Sequence, residues 1–399
     1  MPRVMAIDSA SSALYRLTPF EVAVGFVFGY TRTPRHAEKV GKPIAVLEDE
    51  LVAALTHEPC VVAFSGGRDS SALLALAVDL ARRHGLEMPI PVSVRYVSHP
   101  CSHESDWQER VVRHLGIDEW VRVDLDDECD LLGPLATDLL RRHGLLWPPA
   151  VHMIFPWLEI ARGGALVTGE GGDEVFGMRR STPLRHLFSD ARRRRAALTS
   201  VRESIGPRSV RRRHLARLLT PEADLEWLTA EARQELLRRK VQLSLDEPLS
   251  WRASTVNLAH RRSYVHGSAT MRHLARTYDV RLHEPLLSVR FLCSLATHGP
   301  VLGPVTRSAA MRRLFGHLLP DDVIRRRSKA TFNSVLFGPM SRRFAASWRG
   351  RCVVTDLIDQ EGLAKAWNTE TPHAGTFALL QAAWLAEHAD DRIRMFDGR

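Results

Sequence analysis

From residue 60 onward the chain alternates short apolar runs with longer stretches of helical spacing. CVVAFS, IPVSVRYV, EWVRVDL and GALVTG read as strands. RDSSALLALAVDLARRHG and ESDWQERVVRHLG, lying between them, read as helices. Short, nearly continuous apolar runs suit strands buried on both faces. Their alternation with helical periods, out to about residue 178, predicts a parallel sheet covered by helices on both sides. Beyond residue 180 strand signals nearly vanish, and segments such as LEWLTAEARQELLRRKVQL and TFALLQAAWLAEHADDRI keep a helical period. The expected fold class is therefore α/β, a parallel sheet sandwiched by helices with a mostly helical C-terminal lobe. The divisions expected are an N-terminal extension over 1–55, an α/β core over 56–180 and the helical lobe over 181–399. Within the extension, AVLEDELVAALTHEP reads as a helix.

Composition narrows the class. The 399 residues are 45% hydrophobic and 25% charged, as expected of a soluble protein with real cores. The run VAVGFVFGY is too short to span a bilayer, and it follows Glu21 rather than a basic segment, so neither a membrane span nor a signal peptide is expected. Cys60, Cys101, Cys129, Cys293 and Cys352 are scattered, with no CxxC pair. This reads as a reduced, cytoplasmic protein without a cysteine-bound metal. The net charge is +9, and of the 55 basic residues only five are lysine. Clusters such as ARRRRAA and SVRRRHLARLL lack interleaved aromatics and read as solvated helix faces, so nucleic acid is not an expected partner.

The chemistry concentrates at two strand ends. In VVAFSGGRDSSALLALAVDLARRHG, spanning 61–85, a buried-looking strand breaks at Ser-Gly-Gly and becomes a helix that is apolar nearly all round. Gly66 and Gly67 allow a tight turn that presents N–H groups to an anion. Ser65, Asp69 and Ser70 lie at the start of the helix, where free N–H groups and the dipole favour phosphate. Arg82, Arg83 and His84 suit the helix C-terminus, and Gly85 is placed to cap it. A carboxylate beside a phosphate loop would repel the ligand unless Mg²⁺ bridges the two. Alone, this pattern could also be a capped glycine turn without a ligand. A second strand, however, runs into ALVTGEGGDEVFG at 165–177. Two such loops can share one site, with Asp69 and Asp173 for Mg²⁺ and Glu170 close to the chemistry.

The first loop resembles the pyrophosphate loop of N-type ATP pyrophosphatases. The pair resembles the synthetase domain of the asparagine synthetase family, which includes β-lactam synthetases and lasso-peptide macrolactam cyclases. The resemblance covers roughly residues 55–340. It implies an enzyme that adenylates a carboxylate with ATP, releases pyrophosphate and couples the acyl group to an amine or ammonia. It also implies that Ser65, Gly66, Gly67, Asp69 and Ser70 hold the pyrophosphate and that Asp69 and Asp173 hold Mg²⁺. The segment LPDDVIRRRSKATFN resembles the family stretch that carries a phosphate-stabilising lysine, which would be Lys329. YDVRLHEPLLSVRF loosely resembles the family's acceptor-side segment, and neither Asp279 nor Glu284 receives a role from it. Glutamate stands at the Glu170 position in asparagine-forming members, whereas β-lactam-forming members have tyrosine there. Glu170 is therefore expected to act as a general base on the incoming amine or to organise the adenylation site. The helical lobe would complete the active site.

Glutamine-dependent members begin with a cysteine and a full glutaminase domain, whereas this sequence opens Met-Pro-Arg about 55 residues before the first loop. Glutamine hydrolysis within the chain is not expected. The partners expected are a carboxylate and an amine, small molecules or peptides, with an accessory or ammonia-supplying protein also open. Specialised metabolism or peptide modification, macrolactam formation included, is the setting the resemblance implies. Two other functions fit parts of the pattern: a pyrophosphate-loop tRNA-modifying enzyme, and a non-catalytic nucleotide-binding partner protein. The second acidic loop argues against both. In LLWPPAVHMIFPWLEIARGG the aromatics and His152 read as core after a Pro-Pro start, with an acceptor pocket as the alternative.

Overall fold

A computed structural model describes residues 14–31, 40–99, 104–188, 191–219, 225–326, 333–351 and 354–388. Its centre is a five-stranded sheet in the order β3-β2-β1-β4-β5, formed by β1 (Cys60–Ala63), β2 (Ile90–Tyr96), β3 (Val121–Leu125), β4 (Ala165–Val167) and β5 (Arg281–His283). Every pairing is parallel, with Val61 opposite Ile90 on one side and Leu166 on the other. The sequence-based α/β expectation is met. The fifth strand is the departure from it. RLH has three residues of mixed polarity, too few to show any alternation, and it extends because β4 offers it an edge.

Side-chain alternation along β1 explains why helices cover both faces. Val62 and Phe64 join one core with Leu47 and Leu51 of the Pro43–Leu55 helix and Leu73 and Leu76 of the Arg68–His84 helix. Val61 points the other way, into a core with Leu158, Leu166 and Leu274. The Arg68–His84 helix is sealed from Ser70 to Val78, which accounts for its unbroken apolar body. Gly85 closes it in the left-handed conformation, its N–H reaching the Ala81 carbonyl. A further core lies in the helical lobe around Trp227, Phe337, Trp367 and Leu380, and Phe20 and Val22 near the N-terminus complete it. Full burial of one such side chain is worth about 1.5–3 kcal/mol.

In the Trp147 segment Val151, His152, Ile154 and Leu158 are buried, whereas Trp147, Phe155 and Trp157 are half-buried. The indole N–H of Trp147 donates to the Ser263 carbonyl at 2.8 Å, and that of Trp157 to the Val92 carbonyl at 2.9 Å. His152 is buried with Nε2 donating to the Cys129 carbonyl at 2.9 Å, and burial lowers its pKa, so it is a neutral core residue. Cys60, Cys129 and Cys293 are buried and form no disulfide among the described residues, whereas Cys101 and Cys352 lie outside them. Among the described residues no helix is long and apolar enough to cross a membrane.

Candidate active site

Parallel strands deliver their carboxyl ends to one edge of the sheet, where open α/β folds bind ligands. β1 ends in the Ser65–Gly67 turn, and its hydroxyls knit that turn together. Ser65 Oγ accepts from the Gly67 N–H at 3.3 Å, and its proton goes to Ser70 Oγ at 3.1 Å. Ser70 Oγ in turn donates to the Gly67 carbonyl at 3.1 Å. Gly66 takes φ +78°, and a Cβ there would meet Gln108 Cγ at 2.8 Å, so only glycine fits. Two loop carbonyls are held away from the helix start. Gln108 Nε2 donates to the Ser65 carbonyl at 3.2 Å, and Arg326 Nη1 donates to the Gly66 carbonyl at 2.8 Å. What remains is a helix N-terminus with its first N–H groups open to an anion.

The second loop crosses directly over that helix start. A Cβ on Gly169 would lie 3.2 Å from the Ser70 nitrogen, and one on Gly172 would lie 2.2 Å from Asp69 Cγ. Glycines at both points let the loops touch. Gly171, at φ +83°, turns the chain so that Asp173 lies in the first turn of the short Gly172–Val175 helix, facing Asp69. A single guanidinium, that of Arg307, ion-pairs with both Asp69 and Asp173. The two carboxylates are therefore close enough to share one cation.

Burial raises the Asp69 pKa despite the opposing pull of Arg307, and Asp173 adds to the rise. Burial also opposes the charge of Arg307, but the two carboxylates outweigh it and hold its pKa above the usual arginine value. Asp69 Oδ1 is buried without a hydrogen-bond partner among the described residues. An orphaned carboxylate oxygen beside a second carboxylate and an anion loop is the donor set Mg²⁺ takes when it also binds phosphate oxygens. Asp69 and Asp173 thus fit the metal expected of them.

Glu170 lies exposed on the turn immediately before Gly171, at the mouth of the same edge. Lys329 lies outside the described residues. Glu284, which the sequence left without a role, directly follows β5, next to the second loop. There its carboxylate is buried and accepts from Ser268 Oγ at 2.8 Å and Arg272 Nη2 at 3.0 Å. Asp279 occupies a turn at φ +55° and stands outside this cluster.

Three cations escaped the sequence reading. Arg307 follows the N-cap Thr306 of the Arg307–Phe315 helix, in a chain so rich in arginine that no one guanidinium stands out. Arg326 belongs to the basic run before Lys329. It is buried in an ion pair with Glu104, and its guanidinium lies 4.9 Å from the Trp107 ring centroid. Arg68 fills the variable place in SGGxDS; burial lowers its pKa, and Arg307 and Arg326 lower it further. Arg326 reaches the Gly66 carbonyl and Arg307 pairs with Asp69, so all three cations stand around the first glycine loop.

A glycine–serine loop at a helix start and an acidic loop meet at the carboxyl edge of a parallel sheet, which defines the class as an open α/β protein with its candidate ligand site at that edge. The family model described as asparagine synthase matches residues 47–299, more than half of the chain, and the chain belongs to that family. Such proteins are ATP-dependent amide-bond ligases. The matched span holds both loops but ends before Arg307 and Arg326. No curated protein matches the chain.

Proposed function

We propose that the protein is an AMP- and pyrophosphate-forming amide ligase. The carrying observation is the single clasp of Asp69 and Asp173 over the phosphate-binding helix start. The substrate carboxylate attacks the α-phosphorus of ATP, the bond to the β-phosphate oxygen breaks, and pyrophosphate leaves as the acyl-adenylate forms. Ser65, Gly66, Gly67 and Ser70 hold the departing pyrophosphate, the two hydroxyls fixing the turn and the backbone N–H groups at the helix start donating. Arg68, Arg307 and Arg326 offset its charge, with Lys329 as a further cation. Mg²⁺ held by Asp69 and Asp173 would screen the phosphates from those carboxylates. The nitrogen of an amine or ammonia then attacks the acyl carbon, AMP leaves, and Glu170 takes the nitrogen's proton. Its exposed place at the mouth of the edge is where an incoming amine would arrive.

The family resemblance supports specialised metabolism or peptide modification as the setting, macrolactam closure included. The test is pyrophosphate release from ATP and Mg²⁺ across a panel of amino acids and peptides, with Asp69→Ala as control. The expected result is carboxylate-dependent pyrophosphate and AMP from the wild type, lowered at least about 100-fold in the variant. ADP and phosphate as products would overturn the adenylation chemistry.

A further inference from the structure

We propose that a cavity of about 490 Å³ away from the phosphate loop is a second ligand site, for an apolar molecule carrying a single anionic group such as a carboxylate. Its size falls in the range of small-molecule pockets. The inner wall is apolar, formed by Val175, Phe176, Trp251 and Leu314. Its polar lining is cationic or imidazole: Lys42, Arg185 and Arg313, with His298 and His317. Among the described residues no carboxylate lines it. An uncharged apolar ligand would leave Lys42 and Arg313 without a counter-charge, and a cation would be repelled by this lining.

Two further observations mark a built site. Elsewhere on this surface arginines find acids: Arg312 pairs with Asp321 and Arg290 with Asp49. Arg313 and Lys42, both exposed, form no ion pair among the described residues. The wall is also preformed. A Cβ on Gly299 or on Gly303 would come within 2.3 Å of Trp251 ring atoms, so two glycines, one at φ +81°, let the 299–305 loop close against the indole. Pro300 and Pro304 stiffen that loop, and little ordering is left for a ligand to impose.

The cavity is distinct from the reaction centre, since Ser65, Gly66, Asp69, Glu170 and Asp173 do not line it. It meets the centre only through shared elements. Val175 and Phe176 close the short helix that carries Asp173, and the Leu314 wall belongs to the helix that opens with Arg307.

Decanoate tests the assignment by isothermal titration calorimetry, with decylamine as the cationic control. Saturable decanoate binding is expected, decylamine binding is not, and saturating ATP–Mg²⁺ leaves decanoate affinity within about twofold. Ala310→Trp fills the cavity and Arg313→Glu reverses its rim charge; each is expected to weaken decanoate at least about tenfold, whereas Asp69→Ala leaves it unchanged. Circular dichroism checks the fold, and should the tryptophan variant unfold, Arg313→Glu alone decides. Absence of saturable binding, unchanged affinity in the folded cavity variants, equal binding of decylamine, or displacement by ATP or by Asp69→Ala overturns the proposal.

Discussion

Asp69 owes its setting as much to a neighbouring loop as to its own helix. Gly172 has ordinary helical geometry, so alanine there costs the backbone nothing, yet its Cβ would sit 2.2 Å from the Asp69 carboxyl carbon. Gly172→Ala is therefore expected to displace that carboxylate alone. Misplacement by about 1 Å lowers turnover on the order of 100-fold, readable as pyrophosphate release at nearly unchanged Tm. Gly171→Ala makes the contrast, because φ +83° and a 2.3 Å approach to Leu287 strain the fold itself. Its Tm is expected to fall along with activity. At this scale the anion loop and both carboxylates were legible, because glycine, serine and aspartate at fixed spacing carry their own physical reasons. Arg307 and Arg326 were not, because a guanidinium has no local pattern when fifty arginines surround it in sequence.

The Pro19–Val24 helix shows how an element too short to stand alone is held. Thr18 and Glu21 form a reciprocal cap, with the Thr18 N–H donating to Glu21 Oε2 at 3.0 Å and Thr18 Oγ1 accepting from the Glu21 N–H at 3.3 Å. The same buried carboxylate accepts from Arg262 Nη1 at 3.1 Å and from the Tyr15 hydroxyl. Burial pushes its pKa up, but the bonds from Tyr15 and Thr18 and the charge of Arg262 outweigh burial and leave it below the usual carboxylate value. A depressed folded pKa means the stabilisation is complete above the unfolded value of about 4.3 and is lost as pH falls through the folded value. Glu21→Gln is thus expected to cost about 2 kcal/mol at pH 7. Urea titrations at pH 7 and near pH 3 should show the gap between the two proteins closing in acid. Elements of this kind, and the three-residue β5, were beyond the sequence pattern because tertiary partners rather than periodicity make them. β1 and the Arg68–His84 helix declared themselves through burial on both faces, whereas the edge strand β3 keeps Arg122 and Asp124 exposed.

At the scale of the whole molecule, one buried acid ties the β3 side of the sheet to the helical lobe. Asp130 is fully buried and accepts from the N–H groups of Leu132 at 2.8 Å, Met340 at 2.9 Å and Ser341 at 3.0 Å, and from the Ser341 hydroxyl. It thereby caps the Pro339–Ser347 helix across more than 200 positions. Asp130→Ala would strand several buried donors at about 1–3 kcal/mol each. A loss of about 3–5 kcal/mol is expected, measured as a lower denaturation midpoint. The aspartate sits in a run of acidic residues, DLDDECD, whose composition gives no hint of which one is interior.

The two closing arginines reach the phosphate loop from 238 and 260 positions downstream. On a ribosome adding roughly 5–20 residues per second, that separation is a delay of about 10–50 s between synthesis of the loop and arrival of its counter-charges. A nascent chain holding both glycine loops is thus present well before it can neutralise a triphosphate. ATP binding is therefore expected to appear only late in synthesis. In refolding, stopped-flow intrinsic fluorescence should report sheet formation first, with binding of a fluorescent ATP analogue returning in a later phase. Simultaneous recovery of the two signals would show that the arginines dock as the sheet forms.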